Sequence, residues 1–407
     1  MSSNSRGLTR SLSSVALFIG LQWTPALSFA NDHETSVQEL KAQLQMLTER
    51  LEELESQQQS IRVITEQAAT AVEPTPKKTA RTIKTNADLR YRFESFDIAQ
   101  ASNRHRNRVR ARVGIKATVN DTTLLGFELA SGSDDPISTN QTLGDDFSSK
   151  QVNIDQAYAR WQPKGADIDV YAGKFKNPLF KVGGNGLIWD GDLRPEGFAV
   201  KYARDNLFAN AMGTWVNESK SGDDVLLLGA QGGLATKAFQ SSALVAGLGY
   251  YQYTGIENSG ELIPAKNGGN RLTDQGRYLS AFDLLEGFIE LETPTGLGKT
   301  TVYANYVKNL GADDYDSGYV VGAKLSVADW GLGWAYQDIE ADAVYARLTD
   351  SDFAGGGTDS QGHKLSASYS LHKNAKLAAT LFLNDQGMDF GDDNDYRRFM
   401  LDLSIKY

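Results

Sequence analysis

The chain has 407 residues, 41% hydrophobic and 23% charged, with a formal net charge of −10; that length allows two or three soluble domains or one large barrel. The absence of cysteine excludes a disulfide framework and any thiolate metal site, and four scattered His argue against a histidine metal cluster. The acidic balance argues against nucleic acid, which calls for a basic footprint. By composition the chain looks soluble, but so does a transmembrane barrel, in which only every second strand residue faces lipid; 39 Gly and 10% aromatics suit that class.

In chain order, the first segment is an address. Arg6 and Arg10 supply a positive n-region, Ser14 to Leu21 an apolar run, and Ser28-Phe29-Ala30 small residues for cleavage. Residues 1–30 therefore read as a signal peptide, and no later run approaches the ~20 apolar residues of a membrane helix. If the exported protein enters a membrane, it must do so as a closed barrel.

Residues 31–64 carry a heptad from Val37 onward. Val37, Leu44 and Leu51 fall at a; Leu40, Leu47, Leu54 and Ile61 fall at d; only Gln58 breaks the stripe. That period predicts a short helical coiled coil. Residues 65–83 are rich in Ala, Thr and Pro, with Pro74 and Pro76 close together, and read as an extended linker.

From residue 84 to 407 the period changes to two. Alternating runs fall at 84–98, 105–119, 122–131, 151–162, 167–176, 196–203, 206–219, 223–236, 239–254, 278–292, 298–308, 316–327, 330–341, 362–371, 374–384 and 396–407, sixteen in all. After even-numbered runs the connections are short, among them Asn120-Asp121, Arg204-Asp205, Lys237-Ala238, Pro294-Thr295-Gly296 and Ala328-Asp329. After odd-numbered runs they are mostly long and rich in Asp, Gly, Ser and Asn. Such alternation separates the periplasmic rim of a membrane barrel from its outer rim. The final run agrees: Phe399, Leu401, Leu403, Ile405 and Tyr407 point one way and Met400, Asp402, Ser404 and Lys406 the other. The expected fold is an all-β, antiparallel up-and-down barrel of about 16 strands, with the helical coiled coil before it.

Within a barrel, parity assigns the arginines. Val109, Ala111, Val113 and Ile115 face lipid, so Arg106, Arg108, Arg110, Arg112 and Lys116 line the lumen, where Arg90 and Arg92 join them. Each Arg on the lipid face at mid-depth would cost ~2–4 kcal/mol. A basic ladder of this kind screens solutes by charge, unless carboxylates from a neighbouring strand or folded-in loop pair with it and plug the interior. The connection 177–195 differs from its neighbours, holding Leu179, Phe180, Leu187, Ile188 and Trp189 between glycines. It is expected to fold into the barrel as a constriction, bringing Asp190, Asp192 and Glu196 opposite the arginines; a lid on the outer rim is the alternative. Asp134-Asp135, Asp145-Asp146, Asp313-Asp314 and Asp392-Asp393 read as solvated loop tips, since none has a full calcium-loop spacing.

The stretches RNRVRARVGIKATVND, GFELASG, QAYARW, AGKFKNPLF and LIWDGDLRPEGFAVKY resemble the putative outer-membrane porin family of Gram-negative bacteria, across essentially the whole chain. The resemblance implies a 16-stranded channel, a homotrimer, in the bacterial outer membrane; it implies nothing about the solute. The expectation is a passive diffusion channel for ions and small hydrophilic solutes, with lipids and lipopolysaccharide as neighbours, no cofactor, no metal and no catalysis. The coiled coil would lie in the periplasm and contact peptidoglycan or a periplasmic partner. Two alternatives stand beside it: a structural, tethering or adhesive barrel, and a lipid-modifying enzyme. The second would need a Ser-His pair, yet His33, His105, His363 and His372 have no serine motif beside them.

Overall fold

A computed structural model describes Gln45, Glu52, Glu55 and residues 82–220, 223–238, 241–260, 268–391 and 394–407. The expected signal peptide, coiled coil and linker lie outside the described residues, apart from those first three, which are helical. The chain divides into a unit Met1–Lys78 and a unit Thr79–Tyr407; the second is described below.

Sixteen strands form its wall: β1 Ile83–Ile98, β2 Arg104–Asn120, β3 Thr123–Ser131, β4 Val152–Trp161, β5 Ile168–Lys174, β6 Glu196–Arg204, β7 Leu207–Asn217, β8 Val225–Ala238, β9 Ser242–Thr254, β10 Phe282–Thr295, β11 Gly298–Asn309, β12 Ser317–Val327, β13 Trp330–Ile339, β14 Ser360–His372, β15 Ala375–Gln386 and β16 Asn394–Lys406. Each pairs antiparallel with its sequence neighbours, and β1 pairs with both β2 and β16. The sheet is therefore closed, with no free edge between its strands. A short ladder, Gln141-Thr142, pairs with Val109 and Arg108 and continues the wall where β3 has ended.

Alternation explains why these segments are strands. Leu125, Phe127 and Leu129 on β3, Trp330, Leu332 and Trp334 on β13, and Phe399, Leu401 and Leu403 on β16 are all exposed on the outer face, while the residues between them point inward. Exposed rows of this kind are the lipid face of a membrane barrel. Four of the turns move from where composition placed them: Asn120 pairs with Thr123 and Arg204 with Leu207, so both stay in the ladder. Thr295 still pairs with Gly298, so that turn is Gly296-Leu297, and Lys237-Ala238 remain in β8, with Ala238 paired to Ser242. In each, a backbone partner across the hairpin keeps the ladder going past the turn-forming residues.

The interior is unequal around its circumference. Tyr251 and Tyr253 of β9, Phe282, Leu284 and Phe288 of β10, Val307 of β11, Val320 of β12 and Ile339 of β13 are buried together with Leu187, Ile188 and Trp189 from 177–195. Val344, Tyr345 and Leu348, from the β13–β14 connection, join the same cluster. A hydrophobic core thus sits inside the barrel along one side. Arginine and carboxylate side chains occupy the other.

Candidate pore constriction

The connection between β5 and β6 does enter the barrel. Trp189 meets the Tyr251 ring edge-on at 5.1 Å, and Phe180 packs between Phe208 and Phe288. Backbone groups fix the path of the loop. Gln231 accepts from the Phe180 N–H at 2.8 Å and donates to the Phe180 carbonyl at 3.0 Å. The Gly183 N–H donates to Glu290, and Lys324 donates to the Gly183 carbonyl. Gly183 has φ +57, and a Cβ there would strike the Tyr303 ring at 2.3 Å, so only glycine lets the loop lie this close to the wall.

A second connection, 340–359, folds inward and locks onto the first. Its polar composition had placed it among the outer loops, yet Ala343, Val344 and Tyr345 are almost fully buried. The Asp190 N–H donates to the Leu348 carbonyl at 2.7 Å, the Asp350 N–H to Gly186 at 3.0 Å, and the Ser351 N–H to the Asp190 carboxylate at 2.9 Å. Burial and the neighbouring Asp350 push the Asp190 carboxyl up to about 7. The link between the two loops therefore has a group that titrates near neutrality.

Opposite the apolar cluster stands the charged wall of β1, β2 and β16. Arg92 reaches Asp402 at 2.7 Å and Asp352 at 2.9 Å. Glu94, fully buried, takes Arg106 and Arg398 and lies 3.9 Å from Arg108. Arg110 holds Asp88 at 2.9 Å and lies 3.8 Å from Asp192, which Arg112 holds at 2.6 Å. Arg90 donates to Asn140 at 2.6 Å; among the described residues no ion pair is formed by it. Arg108 donates to Ser138 at 3.3 Å and the Asn140 carbonyl at 3.2 Å. A third inward segment, 137–142 from the β3–β4 connection, thus carries the two arginines that the carboxylates serve least. Lys116 lies apart, beside a cavity on the short-turn side.

The three acidic residues expected at the constriction separate. Asp192 meets the arginines: burial raises its carboxyl, but Arg112 and then Arg110 outweigh this and hold it down at about 2. Asp190 serves the loop-to-loop link instead. Glu196 does not face the arginines. It shares its parity with exposed Phe198 and pairs with Lys174 at 2.6 Å, because strand alternation has already resumed at the start of β6. Sequence reading missed Asp352, whose carboxyl Arg398 and Arg92 hold far below the ordinary range against the opposing effect of burial. It also missed Arg398 and Asp402, whose inward parity on β16 was legible although their partners were not.

Two cavities flank this wall. One, of about 740 Å³, is bordered by Lys84, Lys116, Lys176, Lys201, Lys406 and Arg112, with Asp88 and Glu128 as its acids. The other, of about 510 Å³, lies among the long connections and is bordered by Arg106, Arg108 and Arg347.

A family model described as "Putative porin" matches residues 55–282 and 301–406. The chain belongs to that family. Among solved structures, this porin is similar to the high-pH structure of Pseudomonas putida OprB, at 12% identity and a TM-score of 0.54, covering 80% of this chain and 94% of that one. The low-pH structure of the same protein gives 10% identity and a TM-score of 0.51, with 80% and 92% covered. A triple mutant of the Rhodopseudomonas blastica porin gives 11% and 0.47, with 80% and 100% covered. No curated protein sequence matches the chain. Family and fold make it an outer-membrane porin, a channel through that membrane.

Proposed function

We propose that solutes cross this porin along the arginine wall and that the pore prefers anions. The observation that carries this reading is a charge imbalance. Seven guanidiniums (Arg90, Arg92, Arg106, Arg108, Arg110, Arg112 and Arg398) share five carboxylates, those of Asp88, Glu94, Asp192, Asp352 and Asp402. The surplus falls at Arg90 and Arg108, on the side of the barrel that the apolar core leaves free. The flanking cavities carry the same sign, so the field is positive along the path although the chain as a whole is acidic. Local charge at a constriction governs permeation more than the total does.

Passage of this kind is passive and needs no catalytic residue, cofactor or resident metal. The protein works as a homotrimer in contact with lipid and lipopolysaccharide, and its N-terminal segment reaches the peptidoglycan layer or a periplasmic partner. The deciding experiment is the reversal potential of refolded mature protein in a planar bilayer under a KCl gradient. A potential of the sign set by chloride, with openings in steps of three, is expected; a potential set by potassium overturns the anion preference, and single-step openings overturn the trimer.

A further inference from the structure

The 510 Å³ cavity on the long-loop side has the chemistry of a binding site as well as of a passage. Its polar lining is Arg106, Arg108, Arg347, Ser138, Ser351 and Asp135, three guanidiniums against one carboxylate. Arg347 comes from the 340–359 connection, and its side chain is only 9% exposed. One of its Nη atoms lies 3.5 Å from Asp135, while its Nε is buried and has no partner. Arg108 repeats the pattern: an Nη is occupied by Ser138 and Asn140, and a buried Nε has no acceptor. Buried N–H groups of charged side chains are rarely left without acceptors, because desolvation is then uncompensated. Arg90, Arg112, Arg160 and Arg398 carry an Nε in the same state away from this cavity, so what sets the cavity apart is its three guanidiniums with a single carboxylate among them.

The rest of the lining fixes the size and class of that acceptor. Gly355, Gly356 and Gly357 follow one another at φ +80, +96 and +97, a run that L side chains do not adopt, so this wall is bare backbone. The space exceeds what a halide or a single phosphate ion fills. Guanidinium forks match the paired oxygens of carboxylate and phosphate, which a spherical chloride does not offer. The geometry points to a saturable site for a small organic oxyanion, a carboxylate or phosphate on a compact polar skeleton, held by Arg108 and Arg347 just outside the constriction. This rests on the anion-preferring pore proposed above and adds a station where the solute dwells.

The test is current block in the planar bilayer. Inorganic phosphate and succinate are titrated separately into KCl, with each variant normalised to its own current in KCl alone. Saturable block by either probe is expected, and which probe blocks better tells phosphate from carboxylate. Arg347→Gln should weaken that block about tenfold, as for the loss of one charge-assisted fork. Asp135→Asn, which removes the competing carboxylate while keeping an acceptor for the Ile137 N–H, should tighten it; this variant decides the matter if Arg347→Gln does not fold. A channel that conducts with anion preference yet ignores both probes overturns the site alone. A channel that prefers cations, or does not conduct, overturns the preceding reading instead. Equal block in the wild type and both variants overturns the assignment to Arg347 and Asp135.

Discussion

The two sides of this barrel interior solve opposite problems with the same scaffold. From β8 to β13 the lumen face carries an apolar cluster with polar anchors at Gln231, Glu290 and Lys324, and the inward loops pack on it as on a soluble core, Trp189 against Tyr251 and Tyr345 against Tyr253, Tyr278 and Phe282. Across β16, β1 and β2 the face is rich in guanidinium and carboxylate, and the loops bring to it the side chains of Asp192 and Asp352 and the segment 137–142. Apolar burial is non-directional and favours close packing, so it suits the side that must hold loops still. Charged groups repay desolvation only when paired or hydrated, so they suit the side that stays wet. A pore can be narrowed by filling one side and leaving the other charged.

Five experiments would break or sharpen that contrast. The largest effect is expected from deleting residues 183–191, which should raise single-channel conductance several-fold; an unchanged conductance would show that the loop does not narrow the path. Next, Glu94→Gln should destabilise the barrel by about 3–5 kcal/mol, because four arginines lose a buried counter-charge. Trp189→Ala should cost a similar ~3–5 kcal/mol through lost packing. Heat-modifiable gel migration reads both losses. Only the first should also shift the reversal potential towards chloride; a shift in both would mean that the two sides are not independent.

Smaller effects test the wall itself. Arg90→Gln and Arg108→Gln should each move the KCl reversal potential towards zero, and the double variant further; no movement would place the selectivity elsewhere. Last comes pH. A buried carboxyl held up at about 7 favours the linked state of the loops when protonated. That contribution is present below neutrality and is lost as pH rises through about 7. Conductance noise should therefore grow from pH 6 to pH 8 (both within about one unit of that value), and Asp190→Asn should flatten the dependence. Noise that grows instead on acidification would reverse the sign of the argument.

Much of this was legible from periodicity alone. Strand parity placed the lumen arginines on one face because a barrel has only two faces, and the misplacement of any one of them would be costly. The 177–195 loop showed itself by apolar residues where solvated loops have none. The 340–359 loop carried the same signal in Ala343-Val344-Tyr345-Ala346 but was masked by the acidic and glycine residues around it. The partners of Arg92 and Arg398 could not be read at all. Asp402 is 310 residues from Arg92 and Glu94 is 304 from Arg398 in sequence, and only the register of the closed sheet brings them together. Glu196 misled because it was grouped with the acids of the loop although it already fell in the run 196–203, where it shares its parity with outward-facing Phe198.

That register has a consequence for assembly. The β1–β16 pairing is the most non-local in the sheet, with Asp88 opposite Lys406 and Ala87 exchanging backbone hydrogen bonds with Tyr407. Contacts across such a separation form late, since the loop-closure entropy must be met first. The ion pairs Arg92–Asp402 and Arg398–Glu94 straddle this seam. Hairpins from β2 to β15 can form earlier while the charged wall is still in two halves. The final zipping step therefore seals the sheet edge and assembles the charged surface of the lumen in one event.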